Sequence, residues 1–315
     1  MKRLARQTRS VLRRLRRSWD RRARPHRLDI LTYHFVTARE HLFNRGGHRI
    51  APDVFRAQLC WLRERYQLVA LRDLPRLQPG PRPLLAITFD DGYASNLAEA
   101  APILEQMQIR ATIFVCPSVL DNRDLLWRDK IRYLINRDLD KKFIAYLRTL
   151  PDHRYRFERL EQLGFYTWSK HLPSIGDMQI QHDVAAFCAE EGIDTGKLAA
   201  SHELFLASDQ IRPLDSIDFG AHSWSHPIMP GLDFAAQRDE ISRAQDFLAS
   251  RGGSVGFALP FTDYNADTVR ACSELAVPFM LTVKKRSNPL ARVPGVRILD
   301  RWMAPTSVAR LAEIL

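Results

Sequence analysis

The sequence predicts an α/β fold: a distorted (β/α) barrel of about seven parallel strands with a helical insertion. Three observations lead there. Seven short apolar runs recur along the chain, at Leu28–His34, Leu84–Phe89, Ala111–Val115, Ile217–Ala221, Val255–Leu259, Phe279–Val283 and Val296–Leu299. They are continuous rather than alternating, which is the pattern of strands covered on both faces. Helical patterns fall between them, at Pro52–Tyr66, Ala94–Met107, Phe234–Arg251 and Ala266–Leu275, as parallel strands need long crossover connections. Residues 121–213 break the rhythm: they hold helical stretches (Ile131–Arg137, Lys141–Leu150, Asp183–Glu191) and no clear strand. A compact barrel does not need a connection of that length. The chain therefore divides into a tail at 1–27, a barrel at 28–120 and 214–315, and a helical insertion at 121–213 that caps one rim.

Charge is segregated. The net charge of +11 resides in residues 1–27, where twelve Lys or Arg face one acid, Asp20; the remainder has 35 bases and 35 acids. Within residues 1–24, Leu4, Val11, Leu12, Leu15 and Trp19 fall at helical spacing among the arginines, a basic amphipathic pattern suited to an anionic membrane surface. Pro25 ends it. A solvated tail is the competing reading. No aromatic-interleaved basic patch continues into the body, so no nucleic-acid partner is expected. No apolar run is long enough to span a bilayer, and the N-terminus lacks the apolar stretch of a secretory signal. The expected location is cytoplasmic, with peripheral attachment at the inner membrane face. Cys60, Cys116, Cys188 and Cys272 are too widely spaced for a thiolate metal site and read as reduced thiols.

Two stretches carry chemistry. The run Ile87-Thr88-Phe89 ends in Asp90-Asp91-Gly92-Tyr93, placing two carboxylates where barrel active sites form, at a strand's C-terminal end. Adjacent like charges call for a cation or a proton between them. The run Phe219-Gly220-Ala221 ends in His222-Ser223-Trp224-Ser225-His226-Pro227. Two imidazoles and one carboxylate suit a divalent ion and leave a position open for water. Taken singly, the first stretch also reads as a turn and the second as two surface histidines.

Together, and in this order, TFDDGY and HSWSHP resemble the polysaccharide deacetylase family (the NodB-homology proteins of carbohydrate esterase family 4) over residues 28–120 and 214–315; Leu31-Thr32-Tyr33-His34 also resembles its members. The resemblance implies a metal-dependent hydrolase acting on an N-acylated saccharide. Asp91, His222 and His226 would hold the metal, zinc first, with cobalt or another divalent ion also admitted. Asp90 would be the general base, and the backbone N–H of Phe261 would serve the oxyanion. Tyr93 is placed with the substrate-facing residues, and Trp224, between the two histidines, reads equally as a sugar-stacking platform or as core packing. The chain departs from the family at two places. The third motif, commonly Arg-x-Pro-Tyr-Gly, is Ala258-Leu259-Pro260-Phe261-Thr262, which with Phe257 resembles a Phe-Ala-x-Pro subgroup that lacks the arginine. Arg301 is the candidate to replace that charge. No histidine follows His226 as general acid, so His34 is the candidate there, with Asp90 able to return its own proton. Trp127 and Asp129 in the insertion could touch substrate, with an ordinary helix start as the default reading. Competing functions are a degenerate glycan-binding member and an O-deacetylase or deformylase with the same metal site. The tail would fit a lipid-linked or glycolipid substrate.

Overall fold

The computed structural model describes residues 27–45, 49–151, 155–171, 178–290 and 295–315; the basic segment 1–24 lies outside them. Seven parallel strands form the barrel: β1 (Arg27–Tyr33), β2 (Leu84–Phe89), β3 (Ala111–Val115), β4 (Ile217–Ala221), β5 (Phe257–Ala258), β6 (Phe279–Thr282) and β7 (Arg297–Asp300). They pair in chain order, β1 with β2 and so on to β6 with β7. After β7 the chain turns at Arg301 and runs into Trp302–Met303, which pairs parallel with β1 at Leu31 and Thr32. That step brings the end of the sheet back onto its start and leaves the barrel nearly closed, with Arg301 at the seam.

The strands form where continuous apolar runs can be covered twice. β2 and β3 are buried at every residue, with barrel side chains such as Leu31, Ile87, Ile113 and Leu259 meeting helix side chains such as Leu59, Leu104 and Ile241 in one core. The predicted run at 255–259 shortens to Phe257–Ala258, although Val255 and Leu259 still donate to Phe219 and Leu281 of the flanking strands. The predicted helix at 94–107 divides into a π turn at Asn96–Ala100 and an α-helix at Ala101–Gln106. The Ala101 N–H bonds five residues back to Asn96, and Pro102, which has no amide hydrogen, follows directly.

Between β3 and β4 lie helices at Trp127–Asn136, Asp140–Thr149, Leu160–Leu163, Phe165–His171, Gln179–Glu190 and Thr195–Ser201. They surround a second core built on Trp127, Phe143, Trp168 and Phe187. This helical lobe stands over the C-terminal ends of the strands and walls one side of the cleft there.

Candidate active site

A cleft of about 270 Å³ opens at the C-terminal end of the barrel, lined among others by His34, Asp90, Asp91, Tyr93, His222, His226 and Phe261. A cavity of about 550 Å³ lies at the opposite end. Its acid, Asp218, pairs with Arg72 and Arg110, and it holds none of the groups that sequence reasoning singled out.

Each strand delivers its residues by an abrupt turn. Asp91 and Gly92, just beyond β2, both have φ of +73°. A Cβ on Gly92 would meet Val115 Cγ1 at 3.1 Å, so backbone freedom and close approach both favour glycine there. Ser223 and His226, beyond β4, and Phe261, beyond β5, have φ of +61°, +63° and +62°. Left-handed backbone at four non-glycine residues around one cleft costs roughly 1–3 kcal/mol each, and such strain collects at functional sites.

The turns bring Asp91, His222 and His226 together, with one ligand atom from each lying within 4.8 Å of the others. Nε2 of His222 and of His226 stand 3.4 Å and 3.3 Å from the same atom, Asp91 Oδ1, and all three residues are buried. The Nδ1 of His222 lies 2.7 Å from the Ala258 carbonyl. That contact fixes the tautomer and leaves the Nε2 lone pair facing inward. Among the described residues, Asp91 Oδ1 has only these imidazole nitrogens facing it and no well-aligned hydrogen-bond donor. A buried oxygen without a donor, facing imidazole nitrogens, is a poor arrangement unless a positive charge sits among them. The donor set, two imidazoles and one carboxylate, therefore fits a divalent ion with positions to spare. Burial pushes the Asp91 carboxyl up, but His222, His226 and His34 hold it well below the usual range.

Asp90 faces a different partner. Its Oδ1 and Oδ2 accept from Nη1 and Nη2 of Arg301 at 2.7 and 2.8 Å, a two-pronged pair. Arg301 is fully buried and also reaches Thr32 and Thr88 hydroxyls and the Thr282 carbonyl. Burial alone would raise the Asp90 carboxyl; Arg301 and His222 keep it depressed and ionised. His34, at the end of β1, has Nε2 at 3.9 Å from Asp91 Oδ2. Burial lowers its pKa, with Asp91 and Asp90 acting against the shift.

The remaining expected residues divide. The Phe261 ring packs edge-on to His226, with centroids 4.9 Å apart. Tyr93 lines the cleft, but its hydroxyl donates to both oxygens of Asp129 at 3.1 and 3.2 Å. Trp224 is not among the cleft-lining residues: the loop turns its ring outward beneath Arg243, whose guanidinium lies 4.2 Å from the ring centroid.

Three residues acquire positions that the sequence signalled weakly, for Trp127 and Asp129, or not at all, for Glu240. Glu240 accepts from the backbone N–H of Trp224 and Ser225 and from the Ser225 hydroxyl, at 2.9, 2.8 and 2.7 Å. It thereby pins the loop that carries both histidines. Trp127 Nε1 donates to the His226 carbonyl at 2.9 Å, tying lobe to barrel. Asp129 lines the cleft, and burial, reinforced by Asp91, pushes its carboxyl up to about 7 against the pull of Arg132. An acid one turn into a helix gives no local sign of such surroundings.

The family model described as polysaccharide deacetylase matches residues 78–139 and 183–280, more than half of the chain. The chain belongs to the polysaccharide deacetylase family. Among curated relatives it is similar to YxkH of Bacillus subtilis, which bears a polysaccharide deacetylase name, at 27% identity over 121 residues. It is similar to the poly-beta-1,6-N-acetyl-D-glucosamine N-deacetylase of Escherichia coli K12 at 27% over 130 residues. These matches take in 36% and 39% of this chain and only 41% and 18% of those proteins. Among solved structures, IcaB from Ammonifex degensii superposes with a TM-score of 0.53 at 16% identity, covering 92% of this chain and 97% of that one. A de-N-acetylase from Aggregatibacter actinomycetemcomitans gives 0.57 at 13%, covering 92% and 100%. At such identities the structures show the shared barrel fold.

Proposed function

We propose that the protein is a metal-dependent hydrolase that removes an N-acyl group, acetyl first among them, from a saccharide. The observation that carries the proposal is the side-by-side placement of two unlike carboxylates. Asp91 converges with His222 and His226 on one point, while Asp90 beside it is held ionised by Arg301. A divalent ion held by Asp91, His222 and His226 would acidify a water and polarise the acyl carbonyl.

The chain's own residues supply the rest. Asp90 is the general base, and Arg301 holds its carboxylate in one orientation so that it takes the proton without rotating. His34, partly exposed at the rim and with its pKa lowered by desolvation, takes up a proton from solvent and then hands it to the leaving amine; Asp90, once protonated by the attacking water, offers a second source. Phe261 caps the His226 side of the cleft, and its backbone N–H serves the developing oxyanion. The intact Asp90–Arg301 pair favours turnover over a purely glycan-binding role, because a binding protein gains nothing from an oriented buried base. An O-deacetylase or a deformylase would use the same residues, and product analysis separates them.

The test pairs two substitutions. Asp90→Asn should retain metal and lose about 10²–10⁴-fold in turnover; Asp91→Asn should lose metal as well. Loss of metal in Asp90→Asn, or undiminished turnover in either variant, overturns the assignment.

Among the described residues no helix is long and apolar enough to cross a membrane. We further propose that residues 1–24 hold the protein at an anionic membrane surface, where a lipid-linked saccharide would be presented. Deleting them should abolish binding to vesicles containing anionic lipid, and unchanged binding removes the idea.

A further inference from the structure

The lobe side of the cleft is unusually cationic. Arg128, Arg132 and Lys170 all line it. Arg128 is 6% exposed and stacks on Tyr166 with its guanidinium carbon 3.9 Å from the ring centroid. Its Nη atoms donate to the Ser169 hydroxyl and the Tyr166 carbonyl, both neutral, and among the described residues its buried Nε has no partner. Arg132 donates to the Phe43 carbonyl and the Tyr166 hydroxyl, again neutral acceptors. The Lys170 ammonium stands 4.9 Å from the Phe261 ring centroid. Among the described residues none of the three forms an ion pair with a carboxylate, whereas neighbours such as Lys130 and Lys142 do.

The acids that face these cations do not neutralise them. Asp90 is committed to Arg301, and Asp91 faces the imidazoles. Asp263 acts on Lys170 electrostatically without pairing to it. Even with Asp129 and Asp263 both ionised, the three cations leave one positive charge over. The field is felt within the cluster: burial pushes the Tyr166 phenol up, yet Arg128 and Arg132 hold it below its usual value. Desolvating unpaired cations is costly, and two planar guanidinium groups beside an ammonium are the recognition set for an oxyanion.

We propose that the lobe wall is an oxyanion subsite: the saccharide carries a carboxylate or phosphate near the acylated amine, held by Arg128, Arg132 and Lys170. The subsite rests on the deacetylase reading for what sits beside it. It assigns the substrate to the acidic saccharides rather than to neutral amino-sugar polymers.

The experiment is equilibrium binding to the full chain at low salt, using N-acetylglucosamine, its 1-phosphate and 6-phosphate, and N-acetylmuramic acid. Amine release from each sugar is measured in parallel with metal supplied. At least one charged sugar should bind about ten-fold or more tightly than the neutral one, and the ratio should shrink in high salt. The phosphate and carboxylate arms show which oxyanion fits. Lys170→Gln and Arg132→Gln, both at partly exposed positions, should bring the charged-to-neutral ratio towards one; Arg270→Gln, on a distant helix, should not. Equal affinity for charged and neutral sugars overturns the inference, as does no detectable binding of any charged sugar or an unaltered ratio in both variants. Tighter binding of charged sugars with no amine released from any of them would instead sink the hydrolase reading and leave the subsite standing.

Discussion

The two walls of the cleft are built by different rules. The barrel wall presents acids and imidazoles from the ends of β1, β2 and β4, on turns that hold left-handed backbone at Asp91, Ser223 and His226. Asp90 is paired with Arg301, and Asp91 faces the imidazole pair with which it would share an ion. The lobe wall presents arginine and lysine from helices, stacked on Tyr166 and Phe261, with carbonyls and hydroxyls as partners in place of carboxylates. Side chains anchored in a nearly closed sheet are held to the tolerance that bond-breaking demands. Side chains on a separately packed helical layer can change without disturbing that geometry. The division of labour suggested is chemistry on the barrel and choice of substrate on the lobe. Trp127, bonded from the lobe to the His226 carbonyl, and Asp129, bonded to the Tyr93 hydroxyl, join the two.

The comparison breaks most sharply at Asp91. Asp91→Asn should abolish stoichiometric metal binding and lower turnover by at least about 10³-fold, read by metal analysis and amine release, while no single lobe cation should affect metal content at all. Arg301→Met comes next. It strands a buried carboxylate, so thermal or denaturant unfolding should show a loss of about 3–5 kcal/mol. Its sign with pH is also fixed. Arg301 opposes burial to depress Asp90, so without it the carboxyl rises and the acidic limb of the rate profile moves to higher pH. An unmoved limb would contradict the role given to this pair.

How much of this was legible depends on the range of the interaction. The runs that became β2, β3 and β4 matched residue for residue, because a strand covered on both faces writes most of its length as apolar sequence, with Asp218 of β4 the charged exception. Asp90, Asp91, His222 and His226 were legible because each pair is local and closes such a run. Arg301 was visible only as an unattached charge. Its connection to Asp90, 211 positions away, exists because the last strand turns back onto the first, and closure is a property of the whole sheet. Glu240 was illegible as a site residue, and Trp127 and Asp129 were legible only as possible substrate contacts behind an ordinary helix start: each sits on a helix where an acid or an aromatic has many ordinary explanations, and only the packing of helix against rim aims it inward. Trp224 shows the converse, since adjacency to two histidines in sequence did not bring its ring into the cleft.

A milder perturbation sharpens the barrel side. Glu240 touches neither ligand atoms nor substrate, yet it fixes the loop between the histidines. Glu240→Ala should therefore weaken metal affinity by about 10–100-fold, measured by competition with a chromophoric chelator, while saturating metal restores most of the turnover. A drop in turnover that metal cannot rescue would place Glu240 in the chemistry instead.

The smallest effect expected lies on the lobe side. Asp129 has its carboxyl pushed up to about 7, above its value in an unfolded chain near 4. Across that window the folded protein holds more protons than the unfolded one, so stability should fall as pH rises from about 4 to 7. Asp129→Asn should remove that decline, by at most a few kcal/mol, in denaturation curves taken across the window. A variant with the same slope as the parent would show that Asp129 titrates normally.

The account stands on Asp91, His222 and His226 holding a single ion, and anomalous scattering from crystals grown with Co²⁺ tests this most directly. The expected result is one strong peak about 2.0–2.2 Å from Asp91 Oδ1 and from Nε2 of His222 and His226, absent from Asp91→Asn crystals grown the same way. A peak elsewhere in the cleft, or one that persists undiminished in the variant, would contradict the account.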